Sequence, residues 1–186
     1  MNSQSRRTLL LLAAVCIVPV IAAYLSYFVI QPERRANYGD LIAPRPLPVT
    51  RFETPEGKFL DLAGLKGRWV LMTLDSSGCD ERCRRKLYYM RQVRTAQGKE
   101  MNRIERVWLV TDDSQPAAAL LSEYSGMHVA RAAPSLIAAL PATPEVSSHV
   151  YLIDPLGNLM LRFPGDPNPK RMIEDLSRLL KVSRIG

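Results

Sequence analysis

The sequence predicts an α/β domain, a mixed β-sheet flanked by helices, preceded by one membrane-spanning helix. Residues 8–30 form an apolar stretch without a charge, and a helix of that length crosses the hydrocarbon core of a bilayer. Two apolar runs, 68–75 and 104–111, enclose a segment of helical periodicity, an order typical of parallel strands joined by a crossover helix. A hairpin over 150–163 then adds antiparallel strands.

The N-terminal segment is interpreted as an uncleaved membrane anchor. The mean hydropathy of −0.07 excludes a polytopic membrane protein but not a single span. Arg6 and Arg7 precede the apolar stretch and would hold residues 1–7 in the cytoplasm. A cleaved signal peptide is the alternative, because these arginines are similar to a twin-arginine start. The apolar core of a signal peptide spans about 7–15 residues, so the greater length of 8–30 favours the anchor. Cys16, in the middle of the stretch, is interpreted as a small apolar side chain.

The anchor is followed by a proline-rich segment and then by the domain, which we place at 50–186. Residues 31–49 contain Pro32, Pro44, Pro46 and Pro48. Prolines at this spacing favour an extended, semi-rigid chain, and the segment is predicted to be a stalk.

The first half of the domain shows three elements. A hairpin is predicted over 51–61, where apolar positions alternate around a Pro-Glu-Gly turn. The apolar run 68–75 is bounded by a glycine and a Ser-Ser-Gly turn and predicts a buried strand. A helix is predicted over 81–99, where Leu87 and Met90 recur at helical spacing.

The second half continues the alternation of strands and helices. The apolar run 104–111 predicts another buried strand, and a helix over 116–124 begins with a proline in its first turn. Residues 131–148 are rich in alanine and proline and give no prediction. The hairpin over 150–163 turns at Asp-Pro-Leu-Gly, and residues 169–182 form an amphipathic helix.

Two cysteines, Cys79 and Cys83, lie where the strand over 68–75 passes into the next helix. The unpaired N–H groups and the dipole at a helix N-terminus favour the thiolate and lower the pKa of a cysteine. Basic side chains within 82–86 act in the same direction, whereas Asp80 and Glu81 oppose them. The sequence leaves open whether the pKa of either cysteine is raised or lowered overall.

Thiolates in this position have two chemical uses. They form a disulfide and exchange it with a partner, or they bind a soft metal such as Cu(I) or Zn(II). An inert buried pair or a permanent disulfide is the structural alternative. The charged surroundings of the pair, and the short loop that its disulfide would close, favour a functional role.

A metal held by two cysteines needs a third ligand, and the chain has two histidines. His149 directly precedes the hairpin over 150–163 and is a candidate ligand. His128, after the helix over 116–124, is interpreted as an ordinary surface or core residue. Asp112 and Asp113 follow a strand and are interpreted as a helix cap rather than a cation site.

The net charge of +7 raises the question of nucleic-acid binding. No stacking-aromatic motif accompanies the basic residues, and the anchor would place the domain outside the cytoplasm. We therefore expect no nucleic-acid partner. The sequence makes no prediction of oligomeric state.

These elements resemble a thioredoxin-like domain, and more closely the Sco/SenC family of cytochrome c oxidase assembly proteins. The resemblance spans about residues 45–182 and is carried by 59–71, Cys79-x-x-x-Cys83, 108–112, 121–124 and 151–157. Most thioredoxin-like oxidoreductases have two residues between their cysteines, whereas this chain has three. The chain departs from the family in lacking a proline beside either cysteine, and in the position of its histidine. The family's histidine would fall near Val146, whereas His149 lies beside the position of the cis-proline of thioredoxin-like folds.

The resemblance implies a domain that binds copper through two cysteines and a distant histidine and helps to build the dinuclear copper centre of the oxidase. Carried over, Cys79, Cys83 and His149 would hold Cu(I). The implied location is the inner membrane, with a single span and the C-terminal domain in the periplasm. The expected partner is a respiratory oxidase subunit or another assembly factor, served by copper delivery or by thiol reduction. The alternatives are a thioredoxin-type thiol–disulfide oxidoreductase without metal, and a binding module that has lost the chemistry.

Overall fold

The described part of the N-terminal unit is one long helix, α1 (Ser3–Phe28). The computed structural model describes residues 3–28, 37–48, 51–141, 146–183 and 185, and the chain divides into two compact units, Met1–Ala36 and Asn37–Gly186. Within α1, Arg6–Ser26 is long and apolar enough to cross a membrane. Its most apolar stretch has a mean hydropathy of 2.6, and none of that stretch is buried. The predicted helix is confirmed as far as residue 28. The last two residues of the predicted span lie outside the described residues.

The second unit is an α/β domain. Its strands, within the described residues, are β1 (Asp40–Pro46), β2 (Arg51–Glu53), β3 (Phe59–Asp61), β4 (Trp69–Asp75), β5 (Ile104–Val110), β6 (His128–Arg131), β7 (Val150–Ile153) and β8 (Asn158–Phe163). Its α-helices are α2 (Glu81–Thr95), α3 (Ala118–Glu123), α4 (Pro134–Ala139) and α5 (Pro169–Val182). Short 3₁₀ helices occur at Leu62–Leu65, Gly98–Arg103 and Val146–Ser148.

Six of the strands form a mixed sheet in the order β1-β8-β7-β4-β5-β6. β4 and β5 are parallel, in register from Trp69 opposite Ile104 to Asp75 opposite Val110, and β6 continues the parallel side. β7, β8 and β1 are antiparallel to their neighbours. Strands β2 and β3 form a separate antiparallel pair. The predicted mixed sheet flanked by helices is therefore confirmed.

The two faces of the sheet carry different layers of the core. Because side chains alternate along a strand, Val70, Met72 and Leu74 of β4 pack on one face, in a cluster that includes Phe52 of β2 and Leu136 of α4. On the opposite face, Trp69 and Leu71 pack with buried residues of α2 and α5. The helix that carries Cys83 thus lies on one defined side of the sheet.

Part of the segment predicted as a stalk is a strand of the sheet. Residues 40–46, within the predicted stalk at 31–49, form β1 and pair with β8, from Asp40 opposite Arg162 to Pro46 opposite Asn158. Prolines are tolerated there because an edge strand needs hydrogen bonds on one side only. The stalk prediction is corrected for 40–46, and residues 31–36 and 49 lie outside the described part of the chain.

Three further differences concern the helices. The helix predicted over 81–99 ends at Thr95 and is followed by a 3₁₀ helix. The helix predicted over 116–124 is limited to Ala118–Glu123. The segment 131–148, which gave no prediction, contains α4 and a 3₁₀ turn.

Asp175 of α5 anchors the start of β1. Its side chain is buried, with 2% of its surface exposed, and its Oδ2 accepts hydrogen bonds from the backbone N–H groups of Tyr38 (2.8 Å) and Gly39 (2.9 Å). A carboxylate that accepts two backbone donors stabilises the chain more than neutral hydrogen bonds do. The segment before β1 is thereby tied to the last helix.

We predict that Asp175→Ala lowers the free energy of unfolding by about 2 kcal/mol, because two buried N–H groups lose their acceptor. Urea denaturation of the full chain measures this. Asp166→Ala is the matched control, since the Asp166 side chain is 84% exposed. Equal stabilities of the two variants would show that this anchor does not hold β1.

Candidate functional site

Cys79 and Cys83 form a disulfide across the turn between β4 and α2, with their Cα atoms 5.0 Å apart. Cys83 lies in the first turn of α2, whose N-cap residue is Asp80. The Asp80 side chain accepts a hydrogen bond from the Cys83 N–H at 2.9 Å. The structure therefore brings together the two sulfur atoms singled out in the sequence, at the N-terminus of a helix.

The disulfide is buried, although its neighbours in the sequence are charged. Cys79 is 1% exposed and Cys83 is fully buried. The apolar cluster around them consists of Leu87, Trp108, Val110, Leu120 and Tyr124. The expectation of a polar environment is thus wrong for the sulfur atoms, because α2 directs most of its basic side chains away from this cluster. A partner thiol reaches the disulfide only after a local opening, since exchange requires access to a sulfur atom.

Cys79 has a backbone conformation that non-glycine residues rarely adopt, with φ at 39°. Its N–H donates to the Ser76 carbonyl at 3.1 Å, and its carbonyl accepts from Nε of Arg84 at 3.2 Å. Such a conformation costs about 1–3 kcal/mol and persists only where surrounding contacts hold it. These residues therefore hold a strained turn at the disulfide.

Tyr124, the residue after α3, belongs to the apolar cluster that encloses the disulfide. The side chain is buried, and its hydroxyl donates to the Arg84 carbonyl at 3.3 Å. Burial and the negative charge of Glu123 raise the pKa of Tyr124, so the hydroxyl stays protonated and keeps its role as a donor. This contact links the end of α3 to the first turns of α2.

Asp112, at the end of β5, caps the turn that precedes Cys79. Its carboxylate accepts from the backbone N–H groups of Ser77 (3.0 Å) and Ser114 (3.2 Å). Burial acts to raise the pKa of Asp112, but these hydrogen bonds and the charge of Arg131 together hold it below its usual value. The helix-cap interpretation is wrong, because these contacts stabilise turns and the N-cap residue of α3 is Ala117, without a side-chain cap.

Lys86 is a buried cation on the same helix as Cys83, and only 4% of its side chain is exposed. Its Nζ donates to Oδ2 of Asp75 (2.8 Å), to the Leu74 carbonyl (3.5 Å) and to the Ser147 carbonyl. It therefore joins α2 to the end of β4 and to the segment before β7. The sequence contained a signal for this role, because Cys83, Lys86 and Met90 share the helical spacing of the buried face of α2.

His149 is buried at the start of β7, with 9% of its surface exposed. Nδ1 lies 2.9 Å from the Phe163 carbonyl. Because a carbonyl only accepts, Nδ1 carries the hydrogen, and Nε2 of the neutral ring carries a lone pair. Nε2 is buried and has no hydrogen-bond partner among the described residues. Metal-bound imidazoles are commonly oriented in this way, with the other nitrogen donating to a carbonyl.

The structure does not gather His149 and the two cysteines into one ligand group. Within the described ranges, no cluster of three or more His, Cys, Asp or Glu side chains is placed to hold a metal ion. The ligand form of cysteine is the thiolate, so a disulfide must first be reduced before its sulfur atoms bind metal. His128 lies elsewhere, with Nε2 at 3.5 Å from Oε2 of Glu105.

The chain matches a family model described as the transmembrane-like, thioredoxin-like, C-terminal domain, over residues 69–183. No curated protein sequence matches this chain.

Solved structures with a similar fold include Sco1 proteins and oxidoreductases. Apo Sco1 from Thermus thermophilus is 16% identical, with a TM-score of 0.61, and the match covers 79% of this chain and 99% of that one. Yeast Sco1 with copper bound is 14% identical, with a TM-score of 0.62 and coverages of 76% and 96%. The thioredoxin domain of a thiol-disulfide oxidoreductase from Bacteroides vulgatus is 16% identical, with a TM-score of 0.56 and coverages of 75% and 99%. The thioredoxin-like fold and the resemblance to Sco/SenC proteins are thereby confirmed at the level of structure.

We predict that Tyr124→Ala speeds reduction of the disulfide by a water-soluble phosphine about tenfold or more. The substitution removes a large side chain that excludes solvent from the sulfur atoms, and exchange depends on access. Thiol labelling followed by mass spectrometry gives the rate.

Tyr88→Ala is the matched control for this experiment, since Tyr88 is an exposed tyrosine of α2 (44%) outside the apolar cluster. If both variants are reduced at the wild-type rate, Tyr124 does not limit access to the disulfide.

A second prediction concerns the buried ion pair. Lys86→Met should lower the free energy of unfolding by about 3 kcal/mol, because it leaves Asp75 and the Ser147 carbonyl without their donor. Arg85→Met, at a neighbouring position with 44% exposure, should change stability by less than about 1 kcal/mol. Urea denaturation of both variants measures the two changes in the free energy of unfolding. If Lys86→Met leaves the stability unchanged, Lys86 does not bridge these elements.

Proposed function

The chain belongs to the family of transmembrane-like, thioredoxin-like C-terminal domains, and from that premise we propose that it is a membrane-anchored, Sco-like protein that assists the assembly of respiratory cytochrome c oxidase. The observation that carries this proposal is the Cys79–Cys83 disulfide, with its three-residue spacing, at the junction of β4 and α2. Its two sulfur atoms lie close enough to exchange between disulfide and dithiol. The protein acts on its partner through that pair.

As a thiol reductase, the pair gives two electrons and two protons to a disulfide of the partner. The attacking cysteine forms a mixed disulfide, and the second cysteine then displaces the partner's thiol. The partner's S–S bond is broken into two thiols, and the bond between Cys79 and Cys83 forms. The partner is an oxidase subunit, or another assembly factor, whose cysteines must be reduced before they receive metal.

As a copper carrier, the reduced pair holds Cu(I) as cargo. Two thiolates are ligands that Cu(I) prefers, and His149 is the candidate third ligand because its Nε2 lone pair is buried and has no partner among the described residues. Formation of the disulfide removes both sulfur ligands, so the oxidised protein does not carry the ion. The residues present thus fit Cu(I) in the reduced state only.

The compartment proposed for this chemistry is the periplasm. Helix α1 would be the single span in the inner membrane, with residues 1–7 in the cytoplasm and the domain on the other side. An oxidising compartment is where disulfides persist, and the chain contains one.

A metal-free thiol–disulfide oxidoreductase is the second candidate. It is supported by the disulfide itself, whose exchange needs no metal, and by the fold shared with the thioredoxin domain of a thiol-disulfide oxidoreductase. In this case the redox exchange proceeds as above, but the partner need not be a copper protein.

We predict that the reduced full chain in detergent binds one equivalent of Cu(I), measured against a chromophoric Cu(I) chelator. Cys83→Ser should abolish this binding, because one of the two soft ligands is lost. His149→Ala should weaken it about tenfold or more. His128→Ala is the matched control and should bind like the wild type, since His128 pairs with Glu105 instead.

Three outcomes would contradict parts of the proposal. Rapid dithiol turnover without Cu(I) binding would establish the second candidate. An unchanged affinity in His149→Ala would remove His149 from the ligand set. If a strain in which both Cys79 and Cys83 are replaced by serine still assembles its oxidase, the chain acts through its surface and not through its cysteines.

A further inference from the structure

Three arginines lie close to one another where α2 packs on β5. Arg91 and Arg106 donate to the carbonyls of Glu123 and Ser125, which are two residues apart. Arg94 donates to the carbonyl of Ile104, two residues before Arg106. Arg91 and Arg94 are three residues apart on α2 and so lie on one side of the helix. Arg106 belongs to β5, and the charges of both Arg91 and Arg94 act on it. Residues 79–106 contain nine lysines and arginines but only four acidic residues. Part of this excess of positive charge lies where α2 packs on β5.

Arg106 is buried with most of its donors unused. Its surface is 4% exposed, and Nη2 donates to the Ser125 carbonyl at 2.8 Å. Nε and Nη1 are buried and have no hydrogen-bond partner in the described part of the chain. A guanidinium has five N–H groups. With one Nη2 hydrogen given to Ser125, one complete two-donor edge is left, formed by the other Nη2 hydrogen with either Nε or Nη1.

The positive charge at this place is not balanced by neighbouring carboxylates. Burial lowers the pKa of Arg106, and the charges of Arg94 and Arg91 lower it further; only Glu105 acts in the opposite direction. Glu105, however, forms its ion pair with Arg68, and its Oε2 lies 3.5 Å from Nε2 of His128.

Arg91 and Arg94, the two arginines of α2, also have carbonyl partners but no carboxylate partner among the described residues. Arg91 donates to the Glu123 carbonyl at 3.0 Å, and Arg94 donates to the Ile104 carbonyl at 2.8 Å. Among the residues that the structure describes, no carboxylate lies within ion-pair distance of Arg91, Arg94 or Arg106. Buried charges in proteins are normally paired, so the buried Arg106, with two half-buried arginines beside it and no carboxylate partner, calls for an anion.

We propose that Arg91, Arg94 and Arg106 form a binding site for a phosphate-type oxyanion. Guanidinium edges match the oxygen atoms of phosphate, and such charge-assisted hydrogen bonds are among the strongest in proteins. A phosphate group carries between one and two negative charges at neutral pH and has three strong acceptor oxygens, which suits three cations better than a single carboxylate does. Arg106 forms the base of the site, and Arg91 and Arg94 form its rim. The proposal does not depend on the redox chemistry of the cysteines.

Calorimetric titration of the full chain with inorganic phosphate tests the site. The protein is held in a phosphate-free maltoside detergent, and the ionic strength is kept constant with chloride. We expect saturable binding at one site, weakened about tenfold or more by Arg91→Met or by Arg94→Met. Arg106→Lys should have the same effect, because a lysine cannot offer two parallel donors. Arg85→Met is the matched control, since Arg85 is an arginine of α2 that pairs with Glu81.

Arg91 and Arg94 are only half-buried, so we expect the variants at these two positions to fold. They test the site even if Arg106→Lys does not fold. Phosphate that binds no better than chloride, or binds Arg91→Met and Arg94→Met as it binds the wild type, overturns the proposal. Acetate binding as tightly as phosphate would also overturn it, in favour of a carboxylate site.

A second titration, with phosphatidylglycerol added to the detergent, separates the two sources of phosphate. Suppressed binding of free phosphate identifies a lipid headgroup as the occupant. Unchanged binding identifies a soluble phosphate.

Discussion

The geometry of the site depends on the ion pair between Lys86 and Asp75. A lysine ammonium has three hydrogens, and Lys86 directs them to Asp75 and to the carbonyls of Leu74 and Ser147. One buried cation thus connects the helix that carries Cys83, the strand that leads to Cys79 and the segment that leads to His149. Because Ser147 precedes the histidine by only two residues, the same contact limits where the imidazole can lie.

Burial of the disulfide connects its chemistry to conformation. The sulfur atoms are enclosed by an apolar cluster, and Cys79 is held with a positive φ. Exchange with a partner therefore requires the turn between β4 and α2 to open, and the contact between Tyr124 and the Arg84 carbonyl opposes this opening. In the Cu(I)-bound form both sulfur atoms would be thiolates, and the turn would be free of the disulfide constraint. The redox state and the accessibility of the sulfur atoms are in this way properties of one short turn, and the proposed Cu(I) binding would depend on the same turn.

The elements that the sequence predicted are those whose signal lies in neighbouring residues of the chain. The apolar stretch of α1, the strands β4 and β5 and the amphipathic face of α5 are all visible within a window of a few residues. The pairing of β1 with β8 joins residues more than a hundred positions apart, and prolines concealed it. Strand β6 is only four residues long, and Ala130 is its one fully buried residue within the described chain. The cysteines were identified from their position before α2, but their burial depends on Leu120 and Tyr124, which come from α3 and the residue that follows it.

We infer that the Cys79–Cys83 disulfide is a working redox pair and not a permanent crosslink. The most direct test is its reduction potential in the full chain, measured by equilibration with a thiol buffer of known potential. Structural disulfides typically have potentials below about −300 mV, and labile or catalytic ones lie above this value. We expect a potential clearly above that limit, and a value below it would show that the disulfide serves the stability of the fold alone.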